Sequence, residues 1–338
     1  MKKHKNIPIF IPHLGCPNQC VFCNQRTISG HLGFDITTLR STIDEALSTI
    51  SADTETEIAF FGGSFTGIDR ELMINLLSIA NEYIDRGKVN SIRCSTRPDY
   101  INDEILDILE KYRVKTIELG LQSISEGVLS ITKRGHSFLD EENACTMIVE
   151  RGFNLIGQMM IGLPGSTLED ELATAEFIIR AGAAGARIYP TVVFSGTELY
   201  DMAIGGMYAP LSETDAIERS ARVLELFVDA ELEVIRIGLC AQDNLYDEDN
   251  YFAGPAHSAL GELVIGELYF NKISKELSVL KENIINKSLR IFVSRGSCSK
   301  AIGQKRKNIT RLVEKFHLKS IAVKEDGELS GYELKIDF

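Results

Sequence analysis

No stretch of this 338-residue chain approaches the roughly 20 consecutive apolar residues that a membrane-spanning helix requires. A signal sequence is not expected either. MKKHKNIPIFIP is basic and then apolar, but Pro8 and Pro12 interrupt a run too short for a signal core. Positive charge is in short supply: 36 Lys and Arg stand against 48 Asp and Glu, a net charge of −12, which excludes a surface that coats nucleic acid generally. Neither an internal repeat beyond a strand–helix period nor a low-complexity linker is found. These absences leave a globular chain without a membrane role, expected to be cytoplasmic. At 44% apolar composition it is long enough for one large α/β domain, or for one domain with an appendage. In that compartment its seven cysteines are expected to be metal-bound or reduced rather than paired.

What is present is a regular alternation. Residues 7–12, 58–61, 92–95, 116–121, 155–161 and 186–193 read as strands. Between them lie helical patterns over 36–50, 125–133 and 140–151, and two amphipathic faces. One carries Met73, Leu76, Leu77, Ala80, Tyr83 and Ile84, the other Ile101, Ile105, Ile108, Leu109 and Tyr112. Ser166, with Glu169 three residues on, offers a capping box for a helix reaching about residue 181. Strand starts fall roughly 25–40 residues apart, the βα repeat of a parallel sheet with right-handed crossovers. We therefore expect a partial (β/α)6 barrel over residues 1–250, with 232–239 as a further candidate strand. A doubly wound sheet is the alternative. The polar and glycine-rich motifs sit at strand C-terminal ends, where both architectures place their sites. A helix over 212–230 and an amphipathic segment over 257–283 lead outward, so 251–286 is expected as a helical extension. A small basic α+β domain is expected over 287–338. Residues 287–319 carry ten Lys and Arg against the single acid Glu314.

The densest chemistry lies in residues 11–25, IPHLGCPNQCVFCNQ, where Cys16, Cys20 and Cys23 form a C-x3-C-x2-C motif. Thiolates are soft ligands suited to iron–sulfur clusters or zinc. A structural zinc site closes with four ligands, whereas three thiolates on a four-iron cubane leave one iron open. On a [4Fe–4S] cluster that iron can accept the amino and carboxylate groups of S-adenosylmethionine (SAM), whose C–S bond an electron then breaks to give a 5′-deoxyadenosyl radical. Phe22 would lend apolar cover beside the cluster. The competing reading is zinc completed by His13 or His31. Gly62-Gly63-Ser64 follows a strand directly, where missing side chains let backbone approach a ligand, although a tight βα turn accounts for the pair equally well. Cys94, Cys145, Cys240 and Cys298 share no close spacing and read as buried small hydrophobes or incidental thiols.

From about residue 7 to residue 264 the chain resembles the radical SAM half of the Elongator catalytic-subunit family. The resemblance rests on ordered blocks: CPNQCVFC, FFGGSFTGID, STRPDYI, ELGLQSISEGVLSITKRGH, MMIGLPGST and RIYPTVVFSGTELY, with Gly254 to His257 as a further piece. The cysteine spacing departs from the Elongator pattern, whose first interval is longer, and takes the form common to the wider superfamily. The resemblance implies that Cys16, Cys20 and Cys23 bind the cluster, and that Gly62, Gly63 and Ser64 meet the methionine end of the cofactor. It implies further that Gln122 and Arg134 contact ribose and carboxylate, and that Gln158 lies near the adenosine. Arg97 either approaches the cofactor or ties loops together; Lys133 and His136 are weaker candidates. An electron donor such as flavodoxin or ferredoxin is implied as well. The acetyltransferase half of that family has no counterpart here, so its full wobble-uridine reaction does not carry over.

The tail reads as strand 289–294, helix 298–302, turn 303–306, helix 308–316 and strand 320–323. This order resembles the core of a KH RNA-binding module, in which a GxxG loop clamps the nucleic-acid backbone. Here the second glycine is replaced by Arg306. Lys300, Lys305, Arg306 and Lys307 would still offer phosphate contacts; a solvated basic face on a capping domain is the plain alternative. Together the blocks imply a radical SAM enzyme acting on RNA, with tRNA favoured. The competing classes are a non-catalytic iron–sulfur RNA-binding or regulatory protein and a zinc-bound interaction protein.

Overall fold

The strands lie side by side in chain order because each is followed by a helix that must return across the sheet before the next can pair in parallel. The structure, a computed structural model, describes residues 4–11, 14–16, 20–24, 33–51, 53–239, 245, 247 and 249–337. The series runs β1 (His4–Phe10), α1 (Leu39–Ser48), β2 (Glu55–Phe61), α2 (Arg70–Asp85), β3 (Ser91–Thr96), α3 (Asp103–Lys111) and β4 (Val114–Gln122). It continues through α4 (Glu126–Ile131), α5 (Phe138–Glu150), β5 (Asn154–Ile161), α6 (Leu168–Arg180), β6 (Gly185–Pro190), β7 (Val193–Phe194), α7 (Glu198–Ile204), α8 (Glu213–Asp229) and β8 (Glu233–Ile237).

Seven of these strands form one parallel sheet in the order β1-β2-β3-β4-β5-β6-β8. The order never reverses. A doubly wound sheet requires a switch point where it does, so the sheet is a half-barrel. β8 is the further strand that residues 232–239 suggested, and it extends the six-unit expectation by one.

Alternation along the strands sorts the two faces. Ile58, Phe60, Ile92, Cys94, Ile117 and Leu119 point toward the helices and join the main core with Met73, Leu76, Leu106 and Leu109. The opposite face carries buried charge. Arg93 lies 2.7 Å from Glu57 and 2.9 Å from Glu118, and Arg187 forks onto Glu118 with two bonds of 2.8 Å. Removing one member of such a buried network costs about 3–5 kcal/mol, since its partner is left charged and unpaired.

The cap of α6 differs from the expectation. Thr167, not Ser166, is the N-cap, and Asp170 rather than Glu169 closes the box. Two overlapping boxes are written in STLED, and Ser166 Oγ instead faces Glu171 at 3.4 Å.

Beyond the sheet, β9 (Tyr251–Ala253) pairs antiparallel with β7, and α9 (Leu260–Leu280) follows. Next come β10 (Ser288–Val293), α10 (Cys298–Ile302), α11 (Lys307–Phe316), β11 (Ser320–Glu325) and β12 (Leu334–Asp337), with a second sheet in the order β11-β10-β12. This part has its own apolar cluster, including Leu289, Ile291, Val293, Leu312 and Ile321. α9 serves both units: Val264 and Leu268 enter the main core, while Tyr269, Ile273 and Leu277 enter the second. Among the described residues, no helix is long and apolar enough to cross a membrane.

Candidate metal and cofactor site

Parallel strands put all their C-terminal ends on one rim, and the loops after β1, β2, β3 and β4 meet there. Ile11 N donates to Phe61 O at 2.8 Å, so the cysteine loop departs directly beside Gly62. Ser64 N then donates to Leu14 O at 2.9 Å. Gly62 and Gly63 both have positive φ, and a Cβ on Gly63 would lie 1.9 Å from Leu14 O. The glycine pair thus receives the backbone of the cysteine loop. Ser64 Oγ is buried, 2.9 Å from Thr96 Oγ1.

Val21 anchors the far end of the loop. Its N–H donates to Thr132 O at 3.2 Å, and its carbonyl accepts from Leu199 N at 2.8 Å. Its side chain is buried with Val193, Leu199 and Tyr208, and Phe22 packs against the same cluster. Cys20 is buried, while Cys16 and Cys23 are partly exposed. Burial pushes the Cys16 thiol up, and Cys20 beside it adds in the same direction. Among the described residues, no three His, Cys, Asp or Glu side chains are gathered closely enough to hold a metal ion. His13, His31 and Cys240 lie outside the described residues.

Arg134 joins the thiol loop to the sheet. Its Nη1 lies 3.2 Å from Cys20 Sγ, its Nη2 donates to Gly120 O, and its own carbonyl accepts from Arg97 Nη2. Arg97, also buried, forks onto Asp99 at 2.9 and 3.0 Å. His136 stands behind them, with Nε2 3.0 Å from Glu141 Oε1. Burial, reinforced by Arg134 and Arg97, pushes His136 down to about 3, and burial holds Glu141 well above the usual carboxylate range. The imidazole is therefore neutral at physiological pH.

Gln122 ends β4 at φ 73°, where the β4–β5 register shifts. A non-glycine residue in that region costs of order 1–3 kcal/mol and persists only where its surroundings enforce it. Three buried polar atoms here have no hydrogen-bond partner: Arg97 Nη1, Gln122 Oε1 and Arg134 Nε. Two of these side chains, those of Gln122 and Arg134, lie beside Gly120. A Cβ added there would lie 3.0 Å from Gln122 Nε2 and 3.5 Å from Arg134 Nη2. Donors and an acceptor left unpaired on Arg97, Gln122 and Arg134, the last also touching the thiol loop, fit a polar ligand next to a thiolate-bound metal group.

Gln158 Nε2 donates to Glu118 at 2.8 Å within the charged inner face, and Lys133 pairs with Glu198 at 2.6 Å on the surface. Lys300 lies in α10, Lys305 and Arg306 in the turn after it, and Lys307 opens α11. Sequence reasoning missed Val21 as the loop's anchor and Asp99 as the partner of Arg97. The FC pair after Val21 drew attention to the thiol instead, although STRPD did hold the Arg–Asp pair.

Two family models match the chain: the radical SAM superfamily over residues 10–178 and the Radical_SAM C-terminal domain over residues 183–269. An uncharacterized protein of Methanocaldococcus jannaschii is 30% identical over 231 residues, covering 65% of this chain and 70% of that one. The tRNA uridine(34) acetyltransferase of Methanocaldococcus infernus is 36% identical over 126 residues, covering 36% of this chain and 24% of that protein. Human Elongator complex protein 3 is 33% identical over 152 residues, 44% of this chain and 28% of its own length. The chain spans about a quarter of these two larger relatives. The solved structure of the archaeal Elp3 of M. infernus, lacking residues 1–46, covers 82% of this chain and 64% of its own at a TM-score of 0.61 and 22% identity, which shows a shared fold.

Proposed function

The chain belongs to the radical SAM superfamily of enzymes, which use a [4Fe–4S] cluster and S-adenosylmethionine, and on that footing we propose that it modifies an RNA, with tRNA favoured. The observation that carries the cofactor reading is the set of unpaired, buried polar atoms on Arg97, Gln122 and Arg134, with Arg134 also on Cys20. Cys16, Cys20 and Cys23 would hold the cluster. When bound, cluster and SAM together supply a 5′-deoxyadenosyl radical that takes hydrogen from the substrate.

The chain's own residues orient and shield. Arg134 presents a guanidinium that can fork onto the cofactor carboxylate, and the amide of Gln122 suits ribose hydroxyls. The backbone of Gly62 and Gly63, with Ser64 beside them, would face the methionine end, and Gln158 the adenosine side. Arg97 holds Arg134 in place through its carbonyl and keeps Nη1 for the ligand. The buried cluster of Val21, Val193 and Leu199 closes one side of the loop against water.

The RNA reading draws on relatives named for tRNA and on the basic tail with Lys300, Lys305, Arg306 and Lys307. A cytoplasmic setting and a flavodoxin- or ferredoxin-type reductant go with it. The test is SAM turnover by the anaerobically reconstituted protein with and without bulk tRNA. Turnover that rises with tRNA supports the reading. Turnover indifferent to RNA, with no RNA affinity, removes RNA as the substrate class.

A further inference from the structure

Behind the cofactor site lies a buried histidine–glutamate pair to which no role at the rim has been given. The loop from residue 132 to residue 137 is tightly wound, with left-handed backbone at Lys133 (φ 55°) and Gly135 (φ 74°). Both its ends are fixed. Thr132 O accepts from Val21 N of the cysteine loop, and Ser137 caps α5 in a closed box with Asp140. From this loop Arg134 reaches Cys20, whereas the side chain of His136, two residues on, is 0% exposed between Arg97 and Glu141.

Arg97 is held along one edge only. Nε and Nη2 fork onto Asp99 and Nη2 also donates to Arg134 O, while Nη1 is buried without a partner. Arg97 also lies near enough to Cys16 to draw its thiol down against burial, so the guanidinium stands beside the cysteine loop. His136 Nδ1 faces Arg97 Nη2 at 3.5 Å. A guanidinium has donors and no acceptor, so an imidazole nitrogen beside it must present its lone pair. Asp99 Oδ1, the other group toward Nδ1, stands off at 3.7 Å and is engaged by Arg97 Nε. The ring proton then belongs on Nε2, where Glu141 Oε1 receives it at 3.0 Å. The opposite tautomer would set an N–H against the guanidinium. Glu141 is itself 0% exposed, with Oε2 unpaired, and the imidazole is the partner of its other oxygen.

We propose that Glu141 and His136 are positioning residues for SAM: Glu141 fixes the Nε2–H tautomer, the Nδ1 lone pair steadies Arg97, and Arg97 thereby presents Nη1 to an acceptor oxygen of the cofactor. The inference rests on the cofactor reading above and adds what aims one of its arginines. Outer hydrogen bonds of this kind orient the groups that meet a ligand, so SAM affinity comes to depend on two residues that never touch it.

The test pairs two readouts on the full-length protein. Nitrogen NMR with isotopically labelled histidine shows which ring nitrogen of His136 carries the proton, the signal being assigned by its loss in His136→Asn. Equilibrium SAM binding to anaerobically reconstituted variants, with iron content measured beside it, shows the consequence. We expect the proton on Nε2. His136→Leu removes the lone pair and should weaken SAM binding about ten-fold with iron content kept. His136→Asn, whose Oδ1 can stand where Nδ1 stood, should recover most of the affinity. Glu141→Leu should move the proton toward Nδ1 and weaken binding likewise, and Glu141→Gln, which keeps an acceptor, should recover most of it. A wild-type proton on Nδ1 overturns the proposal, as does wild-type affinity in a folded His136→Leu. So does His136→Asn binding as weakly as His136→Leu at equal stability, which would mark a packing defect. Should His136→Leu not fold, the wild-type tautomer and the two Glu141 variants decide. Wild-type protein that carries its cluster but binds no SAM brings down the cofactor reading too, and the tautomer is read independently of that outcome.

Discussion

Arg134 touches the cysteine loop directly, its Nη1 3.2 Å from Cys20 Sγ while Nη2 donates to the Gly120 carbonyl. One guanidinium thus spans a prospective cluster ligand and the strand that ends in Gln122. Arg134→Met should still allow iron to be incorporated, because the thiols are intact, but SAM affinity should fall roughly 10- to 100-fold, the worth of a charge-assisted hydrogen bond. Arg134→Lys keeps the charge without the fork and should recover little of it. Equilibrium binding of SAM to the reconstituted variants checks both.

Gln122 predicts a trade between stability and binding. It holds φ 73° and leaves Oε1 buried without a partner. Gln122→Gly relieves the backbone and removes the orphan atom, so the cofactor-free protein should gain about 1 kcal/mol. SAM affinity should fall about ten-fold in the same variant. Denaturant unfolding beside a binding titration reads the two effects separately.

Gly63 is a point of no tolerance. A Cβ there would meet Leu14 O at 1.9 Å, and the obstacle is backbone rather than a side chain that can swing away. Gly63→Ala should displace the cysteine loop, and iron content after reconstitution should drop several-fold while the far-ultraviolet signal of the barrel is kept.

The His136–Glu141 pair sets a pH dependence with opposite signs on its two sides. An unfolded glutamate loses its proton above its ordinary value of 4.5, whereas the buried Glu141 keeps it, so this group's contribution is full below 4.5 and declines as pH rises. His136 acts in the other direction. From its ordinary 6.5 down to about 3, the unfolded imidazole takes a proton that the folded one refuses, and stability falls with falling pH. Glu141→Gln removes only the first effect. Its stability relative to the wild type should climb by up to about 1.4 kcal/mol per pH unit above 4.5. Denaturation series at pH 5 and pH 8 test this, and a pH-independent difference counts against it.

Much of this molecule was legible in its sequence because the deciding signals are local. Runs such as IAFF and TIELGL announce buried parallel strands, and the thiol spacing, the glycine pair and the strand-end Gln122 each lie within a few residues of the pattern that marks them. What escaped depends on distant partners. β7 and β9 are too short to show a period, and they exist because Val193 pairs with Ala253 and Phe194 with Tyr251, far apart in the sequence. The inner-face charges Glu57, Arg93, Glu118 and Arg187 look misplaced in their strands until three strands bring them together. Gln158 illustrates the same limit, since its local context could not reveal Glu118 as its hydrogen-bond partner. Thr167 rather than Ser166 caps the helix, while Ser166 faces Glu171, and sequence periodicity does not rank the two.

The account stands on the thiol loop and the unpaired polar atoms of Arg97, Gln122 and Arg134 forming one cofactor site. The most direct measurement is 5′-deoxyadenosine formed from SAM by the reduced, anaerobically reconstituted protein, alongside variants with Cys16, Cys20 or Cys23 changed to Ala. The account predicts product from the wild type and none from any of the three variants. Stoichiometric zinc without iron, or an intact cluster that leaves SAM uncleaved, would contradict it.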